Sequence, residues 1–97
     1  MINIKNDMTD RLFEAILTLK SVDECYKFFE DVCTIKEIKA ISQRLEVARM
    51  LTEKQLYSKI VAETGASTAT ISRVNRCIKY GNDGYSKALD AVKKMEN

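Results

Sequence analysis

The stretch of sequence that decides the fold covers residues 60–76 and reads IVAETGASTATISRVNR. Gly65 is suited to a tight turn because glycine adopts left-handed backbone angles at little cost. Ser67 follows it, and serine is a favoured N-cap for a new helix. Ile71 and Val74 then recur at the three-residue spacing of one helix face. A helix, a glycine turn and a second anchored helix together predict a helix-turn-helix.

This helix-turn-helix is placed near residues 62–80, and its second helix begins with short side chains. The N-terminus of such a recognition helix enters the DNA major groove, where hydroxyls can contact base edges or phosphates and a methyl can contact thymine. Basic residues follow further along, where phosphate contact is more natural than base readout. The predicted DNA-binding residues are Ser67, Thr68, Ala69, Thr70, Ser72, Arg73, Arg76 and Lys79.

Charge is distributed unevenly along the chain. Residues 1–33 carry four basic and seven acidic side chains, whereas residues 67–97 carry six basic and three acidic ones. A basic C-terminal part is consistent with a face that meets a polyanion such as DNA. The alternative is an ordinary solvated helix face, and hydroxyl residues at a helix start also serve as ordinary caps.

Helical patterns continue on the N-terminal side of this segment. A first helix is predicted over residues 9–19, and a second begins after Ser21 as N-cap and ends near Cys33. Thr34 and Glu37 fit a capping box that opens a long third helix reaching about Leu51. The apolar residues expected to face inward on the second and third helices are Val22, Cys25, Tyr26, Phe29, Val32, Ile38, Ile41, Leu45 and Ala48.

The C-terminal part of the chain carries three more predicted helices. The fourth covers about residues 56–64, with Ile60 and Val61 facing inward, and the fifth is the recognition helix. A loop over residues 81–84 separates it from a sixth helix at about residues 85–95. With no proline and only three glycines in 97 residues, strands and their turns are disfavoured, so the fold class is predicted as all-α.

Composition excludes several classes of protein. The three cysteines, Cys25, Cys33 and Cys77, are interpreted as reduced core thiols of a cytoplasmic protein with no signal peptide. The chain has no histidine and no close cysteine pair, so neither a metal site nor a cofactor is predicted. Its apolar runs are too short to span a membrane.

Short segments resemble a known family. Residues 65–73 (GASTATISR) are similar to the recognition segment of the Trp repressor superfamily. Residues 23–29 (DECYKFF), 43–48 (QRLEVA) and 80–83 (YGND) resemble its YerC/YecD subgroup. The resemblance covers nearly the whole chain, and it implies six helices in an intertwined homodimer whose two recognition helices read a palindromic operator.

The predicted organisation is a single domain over residues 1–97. Its dimerising helices cover about residues 8–51, the helix-turn-helix about residues 56–80 and the C-terminal helix about residues 85–95. The second and third helices carry more apolar surface than a chain of this size easily buries alone, which agrees with a homodimer. A monomeric helical bundle is the alternative.

The resemblance also implies where a small effector would bind. In the Trp repressor two arginines and two threonines frame the tryptophan; Arg44, Arg73, Thr34 and Thr70 match them. Three of them also have a structural explanation: Arg44 as a member of an ion pair, Thr34 as a helix cap and Arg73 as a phosphate contact. Val74 stands where the repressor has glycine, and overpacking by its two methyls typically costs about 1–3 kcal/mol. DNA binding without tryptophan is therefore predicted, with another small effector left open.

The function predicted from the sequence is a sequence-specific, double-stranded DNA-binding transcriptional regulator that acts as a repressor. The alternatives are a helical protein-interaction module and a regulator gated by an unidentified small-molecule corepressor. An enzyme is disfavoured because the chain has no histidine and no glycine-rich phosphate loop. Its paired acids, Asp23 with Glu24 and Glu30 with Asp31, lie on amphipathic helices where solvated roles are usual.

Overall fold

The computed structural model describes residues 3–96, which form six α-helices and no strand. The predicted all-α class is confirmed. The chain divides into two compact units, one ending at Ile38 and one beginning at Lys39. The helices are α1 (Asp7–Ile16), α2 (Val22–Val32), α3 (Ile35–Thr52), α4 (Tyr57–Thr64), α5 (Thr68–Tyr80) and α6 (Gly84–Glu96).

Helix α1 differs at both ends from the predicted residues 9–19. It begins at Asp7 because the Asn6 side chain accepts a hydrogen bond from the Thr9 N–H at 2.8 Å and acts as N-cap. It ends at Ile16, after which the N–H groups of Thr18 and Leu19 bond three residues back rather than four. This tighter turn closes the helix before its apolar pattern ends.

The caps of α2 and α3 are confirmed. Ser21 Oγ accepts from the Glu24 N–H at 3.1 Å. The Thr34 N–H donates to Glu37 Oε1 at 2.8 Å, and the Glu37 N–H donates to Thr34 Oγ1 at 3.2 Å, which completes the capping box. The bonds from the Thr34 N–H and hydroxyl lower the pKa of Glu37. Its contribution to stability is therefore present above the ordinary glutamate pKa and lost as the pH falls through the lowered value.

The N-terminal unit leaves much of its apolar surface open. On α2, Phe28 and Phe29 are half-buried and pack edge to face with ring centroids 5.2 Å apart. Four other side chains predicted to face inward on α2 are exposed within the single chain, so they do not enter a core of that chain. They are Val22, Cys25, Tyr26 and Val32.

The core of the C-terminal unit joins α3, α4 and α5. Ala48, Ile60, Ile71 and Val74 are buried, as predicted. Further apolar side chains of α5 and α6 pack against this core, and they include the predicted Ile78 and Leu89. The full set of buried core residues is Val47, Ala48, Met50, Ile60, Ala66, Ile71 and Val74.

Three residues predicted to face inward are instead exposed. Ile41 and Leu45 on α3 are 51% and 41% exposed, and Val61 on α4 is 38% exposed. Helix α3 carries apolar residues on more than one side, and those turned toward the unit's core are Val47, Ala48 and Met50. Helical periodicity identifies such stripes but does not say which one meets a neighbour.

Gly65 ends α4 as predicted, in the left-handed conformation with φ 72°. Its N–H bonds to the Val61 carbonyl oxygen at 2.9 Å, as expected for a C-terminal glycine cap. This single residue turns the chain from α4 toward the start of α5.

We expect Gly65→Ala to lower the free energy of unfolding by about 1–2 kcal/mol, because an L side chain in the left-handed region is strained. Urea denaturation measures the change. Gly84→Ala is the matched control, since a Cβ on Gly84 would meet no heavy atom within 4 Å and its φ is not left-handed. Equal losses for the two variants would contradict a conformational role for Gly65.

Candidate nucleic-acid interface

The recognition helix begins with a hydrogen-bonded cap. Ser67 Oγ accepts from the Thr70 N–H at 3.1 Å and lies 3.1 Å from Thr70 Oγ1, to which it donates. Thr70 is half-buried, so these two hydroxyls hold the first turn of α5 in place. The hydroxyls of Thr68 and Ser72 are exposed and make no hydrogen bond within residues 3–96.

Helix α5 has a buried side and an exposed side. Ile71 and Val74 are 0% and 1% exposed and anchor the helix to the core. On the other side, the structure groups most of the predicted DNA-binding residues on one surface. The exposed members of this surface, which we call the α5 outer face, are Thr68, Ala69, Ser72, Arg73, Arg76 and Lys79.

The positive charges of the α5 outer face are not neutralised within the described part of the chain. The five ion pairs formed by residues 3–96 involve Lys5, Lys27, Arg49 and Lys59, so Arg73, Arg76 and Lys79 have no carboxylate partner there. These three side chains are therefore available to an external anion, and the phosphates of DNA are the anion that basic recognition helices meet.

The N-terminus of α5 also favours an anion. The first turns of α1, α2 and α3 carry acidic residues, whereas those of α4, α5 and α6 carry none. An acid there would offset the partial positive charge of the helix N-terminus. Without one, the exposed end of α5 keeps its attraction for negatively charged groups.

The turn before α5 is held by residues that the sequence analysis did not assign to the site. Thr64 Oγ1 donates to the Ile60 carbonyl at 2.7 Å and accepts from the Ala66 N–H at 3.1 Å. Gln43 on α3 donates from Nε2 to the Thr64 carbonyl oxygen at 3.1 Å. The two bonds of the Thr64 hydroxyl could have been predicted from a threonine that directly precedes the turn glycine. Nothing in the sequence near Gln43 indicates its bond to the Thr64 carbonyl.

Tyr80 is a further residue that the sequence analysis did not assign to the site. It is the last residue of α5 and is 82% exposed. It follows Arg76 by four positions and Arg73 by seven, so it lies on the same side of the helix as both arginines. The same three- and four-residue spacing that predicted the helix could have identified it.

The residues predicted to frame an effector pocket differ from one another in burial and in hydrogen bonding. Val74 is 1% exposed within the core, so its side chain presents no open surface to a ligand. Thr34 acts as the cap of α3 in the N-terminal unit. Arg44 is half-buried, and no carboxylate of residues 39–96 lies within 4.0 Å of it, so the acid partner considered for it is not present there.

Two surface depressions of the C-terminal unit are lined by residues other than those predicted for the effector. One is bordered by Leu45, Cys77 and Tyr85, and the other by Arg49, Glu53 and Leu89. Neither includes any of the five residues predicted for the effector, namely Thr34, Arg44, Thr70, Arg73 and Val74. An effector pocket made from those residues stays a prediction.

The cysteines are free thiols, but they do not lie in the core as predicted. Cys25 and Cys77 are exposed within the chain, and Cys33 is half-buried. In the described part of the chain no three His, Cys, Asp or Glu side chains are grouped to hold a metal ion. Among residues 3–96, no helix is both long and apolar enough to cross a membrane.

Comparison with known proteins places this geometry in a family. The family model described as Trp repressor protein matches residues 7–93. An uncharacterised protein of Bacillus subtilis (strain 168), YerC, is 64% identical over 87 residues, which are 90% of this chain and 84% of YerC.

Two solved structures have the same fold. A TrpR-like protein from Eubacterium eligens ATCC 27750 superimposes with a TM-score of 0.89 at 57% identity, covering 93% of each chain. A Staphylococcus aureus protein provisionally assigned as a Trp repressor also has a TM-score of 0.89, at 50% identity, covering 93% of this chain and 90% of its own.

The family model matches most of the chain. The three relatives are 50% to 64% identical to this chain, and the matches cover at least 84% of each relative. The predicted resemblance to the Trp repressor superfamily and its YerC-like subgroup is thereby confirmed. Non-enzymatic DNA-binding regulation is the activity that this family indicates. The chain belongs to the Trp repressor family and is a DNA-binding transcription regulator.

Proposed function

We propose that the protein is a sequence-specific repressor that reads a palindromic operator in double-stranded DNA as a homodimer and does so without tryptophan. The α5 outer face carries this proposal. It combines a start of short exposed side chains, cations that have no carboxylate partner among residues 3–96, and a helix N-terminus without acids. A helix with these properties suits the DNA major groove.

In the proposed complex the N-terminus of α5 enters the major groove. The hydroxyls of Thr68 and Ser72 contact base edges, and the Ala69 methyl contacts a thymine methyl. Ser67 and Thr70 hold the helix start in position, as their hydrogen bonds support. Repression follows from occupancy of the promoter, so the mechanism needs no chemical step.

The phosphate contacts in this proposal come from Arg73, Arg76 and Lys79. Each cation that neutralises a phosphate releases a condensed counterion, so affinity falls steeply as the salt concentration rises. A protein-interaction module, the alternative function, would instead bind through apolar contacts whose affinity depends weakly on salt. Salt dependence therefore separates the two functions.

The proposed homodimer is supported by the open apolar side chains of the N-terminal unit. Phe13, Val22 and Tyr26 are 48%, 74% and 63% exposed in the single chain, and burial of such side chains drives association. A two-fold dimer would set the half-sites roughly 34 Å apart, one turn of DNA. In this proposal residues 1–97 form a single domain, in which residues 8–51 dimerise, residues 56–80 form the helix-turn-helix and residues 85–95 form the C-terminal helix.

The proposed independence from tryptophan is supported by the burial of Val74. The side chain fills part of the core and anchors the recognition helix without a ligand. Calorimetric titration is expected to show no L-tryptophan binding to the native protein, and micromolar affinity would contradict this. A different small effector is the alternative form of regulation.

The test is selection of bound fragments from random and genomic DNA by the purified protein at near-physiological salt. Enrichment of a two-fold-symmetric site without added ligand is the expected result. If no DNA is enriched with or without tryptophan, the proposed function is wrong and the protein-interaction alternative gains support. Enrichment only with tryptophan would overturn the proposed independence from it.

We expect Arg76→Ala to weaken binding to every DNA sequence and to reduce the slope of log affinity against log salt by about 1, because one phosphate contact is lost. Fluorescence anisotropy at several salt concentrations measures this slope. Lys94→Ala is the matched control because it removes the same charge from the last turn of α6. Equal changes in slope for both variants would contradict a specific role for Arg76.

A further inference from the structure

Gln43 links two helices of the C-terminal unit through a single side-chain hydrogen bond. Its Nε2 donates to the carbonyl oxygen of Thr64 at 3.1 Å, between α3 and the last residue of α4. The bond spans 21 positions of sequence, whereas the ion pairs of α3 and α4 join residues only three or four apart. It therefore ties the end of α4 to α3, which ion pairs within a single helix cannot do.

The carbonyl that Gln43 contacts is one that the helix itself leaves without a partner. The last four carbonyl groups of an α-helix have no N–H four residues ahead within the helix. The Val61 carbonyl oxygen accepts a hydrogen bond from the Gly65 N–H, and the Thr64 carbonyl oxygen accepts one from Gln43 Nε2. The amide also lies over the turn glycine, since a Cβ built on Gly65 would be 4.0 Å from Gln43 Nε2.

The bond continues into the turn that precedes α5. Thr64 accepts from Ala66 through its hydroxyl, and Ala66 is 2% exposed within the core. Ser67, the cap of α5, is the next residue. A shift of the Thr64 carbonyl would therefore move the turn and, with it, the direction in which α5 leaves the core.

We propose that Gln43 is a positioning residue for DNA recognition, which holds the turn so that the start of α5 meets base edges in the correct register. This inference rests on the proposed function of the α5 outer face. Gln43 touches the turn and is not assigned a contact with DNA. Its loss should therefore impair base readout more than it impairs phosphate contact.

Gln43→Met and Gln43→Glu test this role. Methionine keeps the length of the side chain without a donor, and at neutral pH glutamate places an acceptor against the Thr64 carbonyl. Glutamine, methionine and glutamate have similar helix propensities, so α3 itself is little affected. Gln55→Met is the matched control, because the hydrogen bond that Gln55 gives to Met50 uses its backbone N–H.

The decisive quantity is the ratio of affinities for the selected operator and for unrelated DNA. We expect Gln43→Met to lower this ratio by about three- to tenfold, in line with the loss of one hydrogen bond, and Gln43→Glu to lower it further. Gln55→Met should leave it unchanged. Equal losses of affinity for both DNAs, which simple destabilisation would cause, would overturn the proposal.

Amide hydrogen exchange without DNA tests the same role independently. The Ala66 N–H, bonded to Thr64 Oγ1, should exchange several-fold faster in Gln43→Met than in the native chain, because the turn opens more often. Unchanged exchange would overturn the positioning role. If the native chain enriches no operator, the proposed function fails, and the exchange result still decides whether Gln43 holds the turn.

Discussion

Replacing Val74 by glycine is expected to lower the free energy of unfolding by about 3 kcal/mol. Val74 is 1% exposed, so the change removes a fully buried side chain, leaves a cavity and places glycine inside α5. Urea denaturation followed by circular dichroism measures the loss at a fixed protomer concentration, since dimer formation would add to apparent stability. Val74→Ala should give a smaller loss.

The same variant tests why the native protein is proposed to act without tryptophan. If the valine methyls occupy the space of an indole, Val74→Gly should be stabilised by L-tryptophan, whereas the native chain and Val74→Ala should respond little. Thermal unfolding with and without L-tryptophan measures this difference. A native chain that tryptophan stabilises as strongly as the glycine variant would contradict the explanation.

Thr68→Ala and Ser72→Ala are each expected to reduce discrimination between operator and mismatched DNA by about 1–3 kcal/mol, the usual range for a side chain that reads a base. Both hydroxyls are exposed and make no hydrogen bond within residues 3–96, so removing them leaves the fold intact. Competition binding against operators with single-base changes measures the discrimination.

Two comparisons sharpen this experiment. Ser86→Ala removes a hydroxyl from α6 and should leave discrimination unchanged, since Ser86 lies outside the α5 outer face. Arg76→Ala should weaken binding to all sequences alike. If the Thr68 and Ser72 variants keep full specificity, the base-reading positions have been assigned wrongly and must be sought elsewhere on α5.

The local architecture was predictable because the bonds that create it join neighbouring residues. Ser21 and Ser67 cap α2 and α5 through N–H groups three residues ahead, and the Thr34–Glu37 box spans the same distance. Gly65 is recognisable because glycine adopts positive φ without strain. Such features depend on a few adjacent residue types, so the helices and the turn follow from the sequence.

The proposed interface was only partly predictable. Regular spacing placed Ile71 and Val74 inside and therefore turned Ser72, Arg73 and Arg76 outward, as the structure has them. The sequence predicted the cap at Ser67, but it did not show that the Thr70 hydroxyl accepts a hydrogen bond from Ser67 while those of Thr68 and Ser72 stay without a partner within residues 3–96. That difference depends on the hydrogen bonds of the folded turn.

The all-α class, most helix boundaries, the turn at Gly65 and the family of the chain all follow from local residue patterns and short motifs. Tertiary packing, by contrast, selects Val47 and Met50 rather than Ile41 and Leu45 for the core of the C-terminal unit. It alone joins Gln43 to Thr64. Caps and turns need partners within a few residues, whereas burial and long-range hydrogen bonds need surfaces that distant parts of the chain supply.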